Sequence, residues 1–168
     1  AVAPGDIGVL EVKGPNVMKG YWRNERETAR AFRAGGWFVT GDLARIDEAG
    51  YVHLVGRAKD LIISGGLNVY PMEVEEQINA MPDIAEAAVI GLPHADFGEA
   101  VTAVVVTRSG KAADEEAVIA RLKARLAAFK CPKRVLHLPS LPRNAMGKVE
   151  KARLRQQFAD LYMRPQRP

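Results

Sequence analysis

A carboxylate and a guanidinium in the first third of this sequence are of the kinds that bind nucleotides. Asp42, in the run Thr-Gly-Asp-Leu, could accept hydrogen bonds from both vicinal hydroxyls of a ribose, as acidic residues do in dinucleotide sites. Arg57, which follows Gly56, could donate to the same sugar or to a phosphate. Taken singly, each also fits an ordinary structural role, a turn aspartate and a surface salt bridge.

A lysine near the end of the chain stands in a loop bounded by proline and glycine. The segment Pro-Arg-Asn-Ala-Met-Gly-Lys, residues 142–148, is not a Walker loop, because its leading glycine is replaced by Pro142 and no Ser or Thr follows Lys148. Lys148 could place a compact positive charge beside an anionic reacting group. A solvated lysine ahead of a helix is the simpler interpretation of this loop alone.

Three further features invite a chemical interpretation. Gly65 and Gly66 would let backbone pass close to a ligand, although a tight turn explains them as well. His94 and Asp96 could form a dyad or simply belong to a polar loop. Cys131 lies beside a proline without an evident base, which favours a structural cysteine over a nucleophile.

Composition and charge exclude several classes of protein. The chain has 168 residues, of which 48% are hydrophobic and 26% charged, as in soluble globular proteins. No apolar run approaches the roughly 18 residues of a membrane helix, and the first residues do not form a signal peptide. The net charge of +4 is spread along the chain, so we expect no nucleic-acid partner and no membrane partner. One cysteine and three scattered histidines predict no disulfide, no metal site and a cytoplasmic location.

The elements that position these residues change character near Lys59. We expect a β-rich segment over residues 1–58 and a small α/β (α+β) domain over residues 59–168, with a central, mainly antiparallel sheet flanked by helices. Predicted strands cover residues 7–12, 37–46, 51–55, 61–63, 85–91, 100–107 and 135–138. Predicted helices follow caps or proline at Asn24, Pro71 and Asp114, and a last helix begins near residue 149.

Four motifs in order resemble those of the acyl-adenylate-forming superfamily, which includes acyl-CoA synthetases, adenylation domains and luciferases. The motifs are GPNVMKGYW (14–22), TGDLARIDEAGY (40–51), GRAKDLIISGGLNVYPMEVE (56–75) and LPRNAMGKVEK (141–151). The run AVIGLPHADFGEAVTAVVV (88–106) is most similar to the acyl-CoA synthetase branch, and within it to malonyl-CoA synthetases.

The resemblance implies a two-step reaction. A small-molecule carboxylic acid reacts with ATP, as Mg-ATP, to give an acyl-adenylate and pyrophosphate, and coenzyme A then takes the acyl group and releases AMP. The implied roles are ribose binding by Asp42 with Arg57, a hinge at Lys59, adenylation by Lys148, and a pantetheine tunnel lined by Ser64, Gly65 and Gly66.

The resemblance also implies what this stretch of sequence lacks. We expect residues 1–58 to be the last part of a large N-terminal, AMP-binding domain that holds most of the ATP, so the chain alone should not catalyse adenylation. The pattern P-x-x-x-x-G-K implies that a protein acetyltransferase and a deacetylase could act on Lys148.

Two other functions stay open at this point. A carrier-protein-loading adenylation domain is disfavoured, because the sequence shows no phosphopantetheine attachment motif. A non-catalytic module that binds phosphate groups through Lys148 and scattered basic residues would also fit a chain without a nucleotide pocket. Neither the acyl substrate nor the oligomeric state follows from the sequence.

Overall fold

A computed structural model describes residues 2–163 of the chain. The chain divides into two compact units, Ala1–Lys59 and Asp60–Pro168. None of the described helices is both long enough and apolar enough to cross a bilayer.

The first unit is a three-stranded antiparallel sheet with one short helix. Its elements are β1 (Gly8–Val12), α1 (Glu25–Ala31), β2 (Phe38–Ile46) and β3 (Val52–Arg57), with the strands in the order β1-β2-β3. The side chain of Asn24 caps α1 by accepting a hydrogen bond from the Glu27 amide, as predicted. Asp47 closes the β2–β3 turn by accepting from the amides of Ala49 and Tyr51.

Many large apolar side chains of the first unit are exposed. Among residues 2–59, the buried hydrophobic residues are Leu43 and Ala44, and the exposed large ones include Val9, Trp37, Ile46, Tyr51, Val52 and Leu54. A sheet buries exposed apolar side chains of this kind by packing against another apolar element.

The second unit is built on one five-stranded sheet. Its elements are β4 (Ile62–Ser64), β5 (Leu67–Val69), α2 (Pro71–Asn79), β6 (Ile84–His94), β7 (Gly98–Thr107), α3 (Glu115–Lys123), β8 (Arg134–His137) and α4 (Lys151–Gln157). The order is β5-β4-β7-β6, and β8 joins β7 as the one parallel pair. The fold class predicted from the sequence, antiparallel strands flanked by helices, is confirmed.

Alternation along β7 explains why helices cover both faces of this sheet. Val101, Ala103 and Val105 pack in a core with α2 and α3, whereas Val104 points into a second core with α4. Successive side chains of a strand face opposite ways, so a continuous apolar run predicts burial on both sides. Val74, Ile78, Val118, Leu122 and Leu154 are buried in these cores.

Two local features of the second unit differ from the sequence-based expectation. β5 was not predicted, because its residues Leu67–Val69 stand between Gly65-Gly66 and Pro71, which indicate a loop. Residues 93–98 were predicted as loop, but β6 continues through Pro93 to His94 and pairs with β7 as far as Gly98. Proline is tolerated there because β6 is an edge strand of the sheet.

Candidate functional site

Asp42 and Arg57 meet across the first unit's sheet. They are register partners on β2 and β3, and Arg57 Nε lies 2.8 Å from Asp42 Oδ1. Arg57 Nη1 also donates to the Thr40 carbonyl at 3.0 Å, which fixes the guanidinium beside the carboxylate. The pair is partly exposed, so it adds little to stability. The arrangement presents an acceptor and donors side by side, as recognition of a sugar hydroxyl or phosphate requires.

Lys59 lies in a short 3-10 turn, Ala58–Asp60, that follows β3 directly. Its neighbour Asp60 is held within the second unit, since Arg155 Nη2 of α4 donates to Asp60 Oδ1 at 3.0 Å. Lys59 is exposed. Lys59 is therefore the last residue before the ion-paired Asp60.

The two glycines form the two-residue turn between β4 and β5. Their φ angles are +58° at Gly65 and +78° at Gly66, the conformation that a type I′ hairpin turn demands at both central positions. The Gly65 amide donates to the Phe97 carbonyl at 2.9 Å, which ties the turn to the start of β7. Both glycines are exposed and Ser64 is buried, so a ligand here would meet glycine backbone rather than the serine side chain.

Lys148 is exposed at the end of a tight loop between β8 and α4. Asn144 closes that loop, because its side-chain oxygen accepts from the amides of Met146 and Lys148, both at 3.0 Å. The Asn144 amide in turn donates to the Lys148 carbonyl at 2.9 Å. Gly147 has a φ of +78°, which the turn requires and other residues rarely adopt.

The helix that follows Lys148 forms two ion pairs from one face, one to α2 and one to the turn after β3. Lys151 Nζ lies 2.7 Å from Glu75 Oε1, and the same oxygen accepts from the Val89 amide. Lys151 and Arg155 are four residues apart and therefore share a face of α4. Through Glu75 and Asp60, α4 is attached both to the centre of the unit and to its first residue.

The lysine loop and the glycine turn lie at opposite ends of the β6–β7 hairpin. The Arg143 guanidinium pairs with Glu86 near the start of β6 and donates to the Gly147 carbonyl at 2.6 Å. The glycine turn adjoins Phe97 and Gly98, opposite His94 at the far end of β6. His94 is eight positions along the strand from Glu86, a distance of about 26 Å.

Two other candidates from the sequence have structural roles. Cys131 is buried, and burial raises the pKa of its thiol, which disfavours the reactive thiolate. His94 Nδ1 accepts from the Asp96 backbone amide rather than pairing with the Asp96 carboxylate, and the His94 ring packs against Phe97 and Tyr162. Within residues 2–163, no three His, Cys, Asp or Glu side chains gather as a metal site would need.

Four residues around these sites were missed by sequence reasoning. Asn144, Glu86, Asp60 and Arg155 hold the lysine loop and the turn after Arg57, yet Glu86–Arg143 and Asp60–Arg155 join residues 57 and 95 positions apart. Only Asn144 carried a local signal, as the first residue of an Asn-x-x-Gly turn.

Comparison with known proteins gives one family match and many relatives. Residues 73–148 match the model of the AMP-binding enzyme C-terminal domain. A feruloyl-CoA synthase from an Amycolatopsis species is 46% identical over 157 residues, covering 94% of this chain and 32% of that enzyme. A 2-succinylbenzoate–CoA ligase from Geobacillus kaustophilus is 45% identical over 153 residues, covering 91% of this chain and 31% of the ligase.

Solved structures match this chain over nearly its whole length. The crystal structure of ATP-bound MatB from Rhodopseudomonas palustris superimposes with a TM-score of 0.88 at 57% identity, covering 96% of this chain and 32% of MatB. The chain thus spans about a third of the length of the relatives it matches.

Proposed function

Because residues 73–148 belong to the family of AMP-binding enzyme C-terminal domains, we propose that this chain is the C-terminal part of an ATP-dependent acyl-CoA synthetase. The enzyme would activate a carboxylic acid as its acyl-adenylate, releasing pyrophosphate, and would then pass the acyl group to the thiol of coenzyme A, releasing AMP. The CoA ligases among the relatives support coenzyme A as the acceptor, in preference to a carrier protein.

The observation that carries this proposal is the placement of Lys148 and the Gly65–Gly66 turn at opposite ends of one hairpin. The strand between their attachment points, Glu86 and His94, is about 26 Å long, so the two features should not contact the same reacting centre together. A two-step reaction can use both if the second unit presents its lysine end for adenylation and its glycine end for thioester formation. Lys59 is the proposed hinge, because the residue after it is already ion-paired to α4.

In the first step, Lys148 would supply a positive charge at the reacting phosphate. As the acid's carboxylate attacks the α-phosphate, negative charge shifts onto phosphate oxygens and the leaving pyrophosphate, and an ammonium group stabilises that charge. Asp42, with Arg57 beside it, is proposed to hold the ribose hydroxyls. Magnesium-bound ATP would be held mainly by residues outside this chain.

The exposed apolar side chains of the first unit support the proposed domain assignment. Residues 1–58 would be the end of the large N-terminal domain, whose other residues cover Val9, Trp37 and their neighbours, and residues 59–168 would be the mobile C-terminal domain. The relatives are about three times as long as this chain, which leaves room for such a domain.

The function is tested by acid-dependent exchange of pyrophosphate into ATP. The full-length enzyme should exchange with at least one acid from a panel of malonate, acetate, octanoate and ferulate, whereas residues 1–168 alone should not. Malonate is our proposed substrate, on motif resemblance alone, since no described residue of this chain selects it. Exchange by residues 1–168, or none by the full-length enzyme with any carboxylate while CoA is still bound, would overturn the proposal.

The glycine turn offers a sharper test of the second step. Gly66→Ala should slow thioester formation from a supplied acyl-adenylate by about 10- to 100-fold, because a methyl group and a displaced backbone would narrow the path of the thiol. Pyrophosphate exchange should be unchanged.

Gly110→Ala is the matched control. Gly110 also lies in a turn, its φ of +71° is close to the +78° of Gly66, and nothing lies within 4 Å of a Cβ at either position. Both variants therefore carry similar backbone strain. Equal slowing of thioester formation in the two would show that strain, not the path of the thiol, is responsible.

Lys148 is also the proposed target of a protein acetyltransferase and of a deacetylase, with the cytoplasm as the compartment. Its side chain is exposed in a loop that matches the P-x-x-x-x-G-K pattern. Acetylation removes the charge on which adenylation depends. Acetylated full-length enzyme should lose pyrophosphate exchange as the Lys148→Ala variant does, and an unchanged rate would rule the regulation out.

A further inference from the structure

The loop that carries Lys148 is held by hydrogen bonds rather than by packing. Residues 143–148 are all exposed, and Met146, its one large apolar residue, is 76% exposed. A buried apolar side chain would hold a loop by many van der Waals contacts. Residues 143–148 include no such side chain. Its shape therefore depends on the few polar contacts that it makes.

Most of those contacts converge on one residue. Asn144 accepts from two amides with its side-chain oxygen, accepts from the Gly147 amide with its carbonyl, and donates its own amide to Lys148. Both the amide and the carbonyl of Lys148 are thus bonded to Asn144, at 3.0 and 2.9 Å. The Lys148 backbone is fixed from both sides by a single neighbour.

A second contact fixes the loop to the rest of the unit. Arg143 donates to the Gly147 carbonyl at 2.6 Å and pairs with Glu86 on β6. Asn144 shapes the loop and Arg143 attaches it to the sheet. Asn144→Ala would keep the two backbone bonds of residue 144 but remove the side-chain acceptor shared by the amides of Met146 and Lys148, which would loosen the turn around the lysine.

We propose that Asn144 is a positioning residue for Lys148, which fixes where its ammonium group points without touching the substrate itself. This inference rests on the proposed adenylation role of Lys148. A lysine side chain is long, so a change of backbone direction at its Cα displaces the positions that Nζ can reach. Misplacement by about 1 Å can lower a rate about a hundredfold.

The test compares three variants of the full-length enzyme. Asn144→Ala should lower the kcat of acid-dependent pyrophosphate exchange by about 10- to 100-fold and leave thioester formation from supplied acyl-adenylate unchanged. Asn144→Asp keeps an oxygen acceptor for both amides and should restore most of the lost rate. Asn79→Ala, at the exposed end of α2, is the matched control and should behave as wild type.

A double-mutant cycle separates positioning from general damage. In the Lys148→Ala background, Asn144→Ala should cost no further exchange activity, because there is no ammonium group left to position. An equal loss in both backgrounds, or full activity of Asn144→Ala beside an impaired Lys148→Ala, would overturn this inference alone. If Lys148→Ala itself exchanged pyrophosphate at the wild-type rate, the proposed function would fail instead.

Discussion

Lys148→Ala in the full-length enzyme is expected to slow acid-dependent pyrophosphate exchange by about 100- to 1,000-fold, the usual cost of removing one stabilising donor from a reacting centre. Lys148 is exposed and its backbone is held by Asn144, so the substitution removes the ammonium group without disturbing a packed core. Thioester formation from supplied acyl-adenylate should continue, because we propose that this step uses the glycine end of the unit. Rapid quenching of each half-reaction measures the two effects separately.

Two control variants define what the lysine contributes. Lys148→Arg keeps the charge but replaces a compact ammonium with a planar fork, so its exchange rate should fall between those of wild type and alanine. Lys123→Ala removes another exposed lysine, at the end of α3, and should leave exchange unchanged. Parallel losses of adenylation and thioester formation in Lys148→Ala would contradict the separation of roles between the two ends of the hairpin.

The core of the second unit could be predicted from the sequence because its signals are local and repeated. Val74 and Ile78 are four residues apart on a helix that begins at Pro71, and both are buried. The near-continuous apolar run of β7 predicts burial on both faces, and it contributes to the two cores. Such patterns reflect periods of 3.6 and 2 residues, which need only a few turns or pleats to be recognised.

The contacts that hold the candidate site could not be predicted in the same way. Glu86 and Arg143 are ordinary charged residues until strand register and loop direction bring them together, and the same is true of Asp60 and Arg155. Asp42 and Arg57 became a pair through the register of β2 and β3, which shifts at a bulge next to Leu43. Residue types suggested the chemistry, but three-dimensional pairing determined which groups act together.

Lys59→Pro in the full-length enzyme should impair thioester formation more than adenylation, by roughly 100-fold if the second unit can no longer present its glycine end. Proline fixes φ near −65° and also restricts the residue before it, here Ala58. One orientation of the second unit would then be trapped. The sensitive measurement is the ratio of the two half-reaction rates, since loss of folding would lower both together.

Lys59→Ala provides the matched control, because it removes the side chain but leaves the backbone free to rotate, and it should retain both steps. The ion pair between Asp60 and Arg155 explains why the change must be made at residue 59. Asp60 is bound to α4, and α4 begins three residues after Lys148, so a rotation that starts at Lys59 carries Asp60, α4 and the lysine loop as one body. Equal loss of both half-reactions in a Lys59→Pro variant that stays folded, with Lys59→Ala unaffected, would contradict a hinge at Lys59.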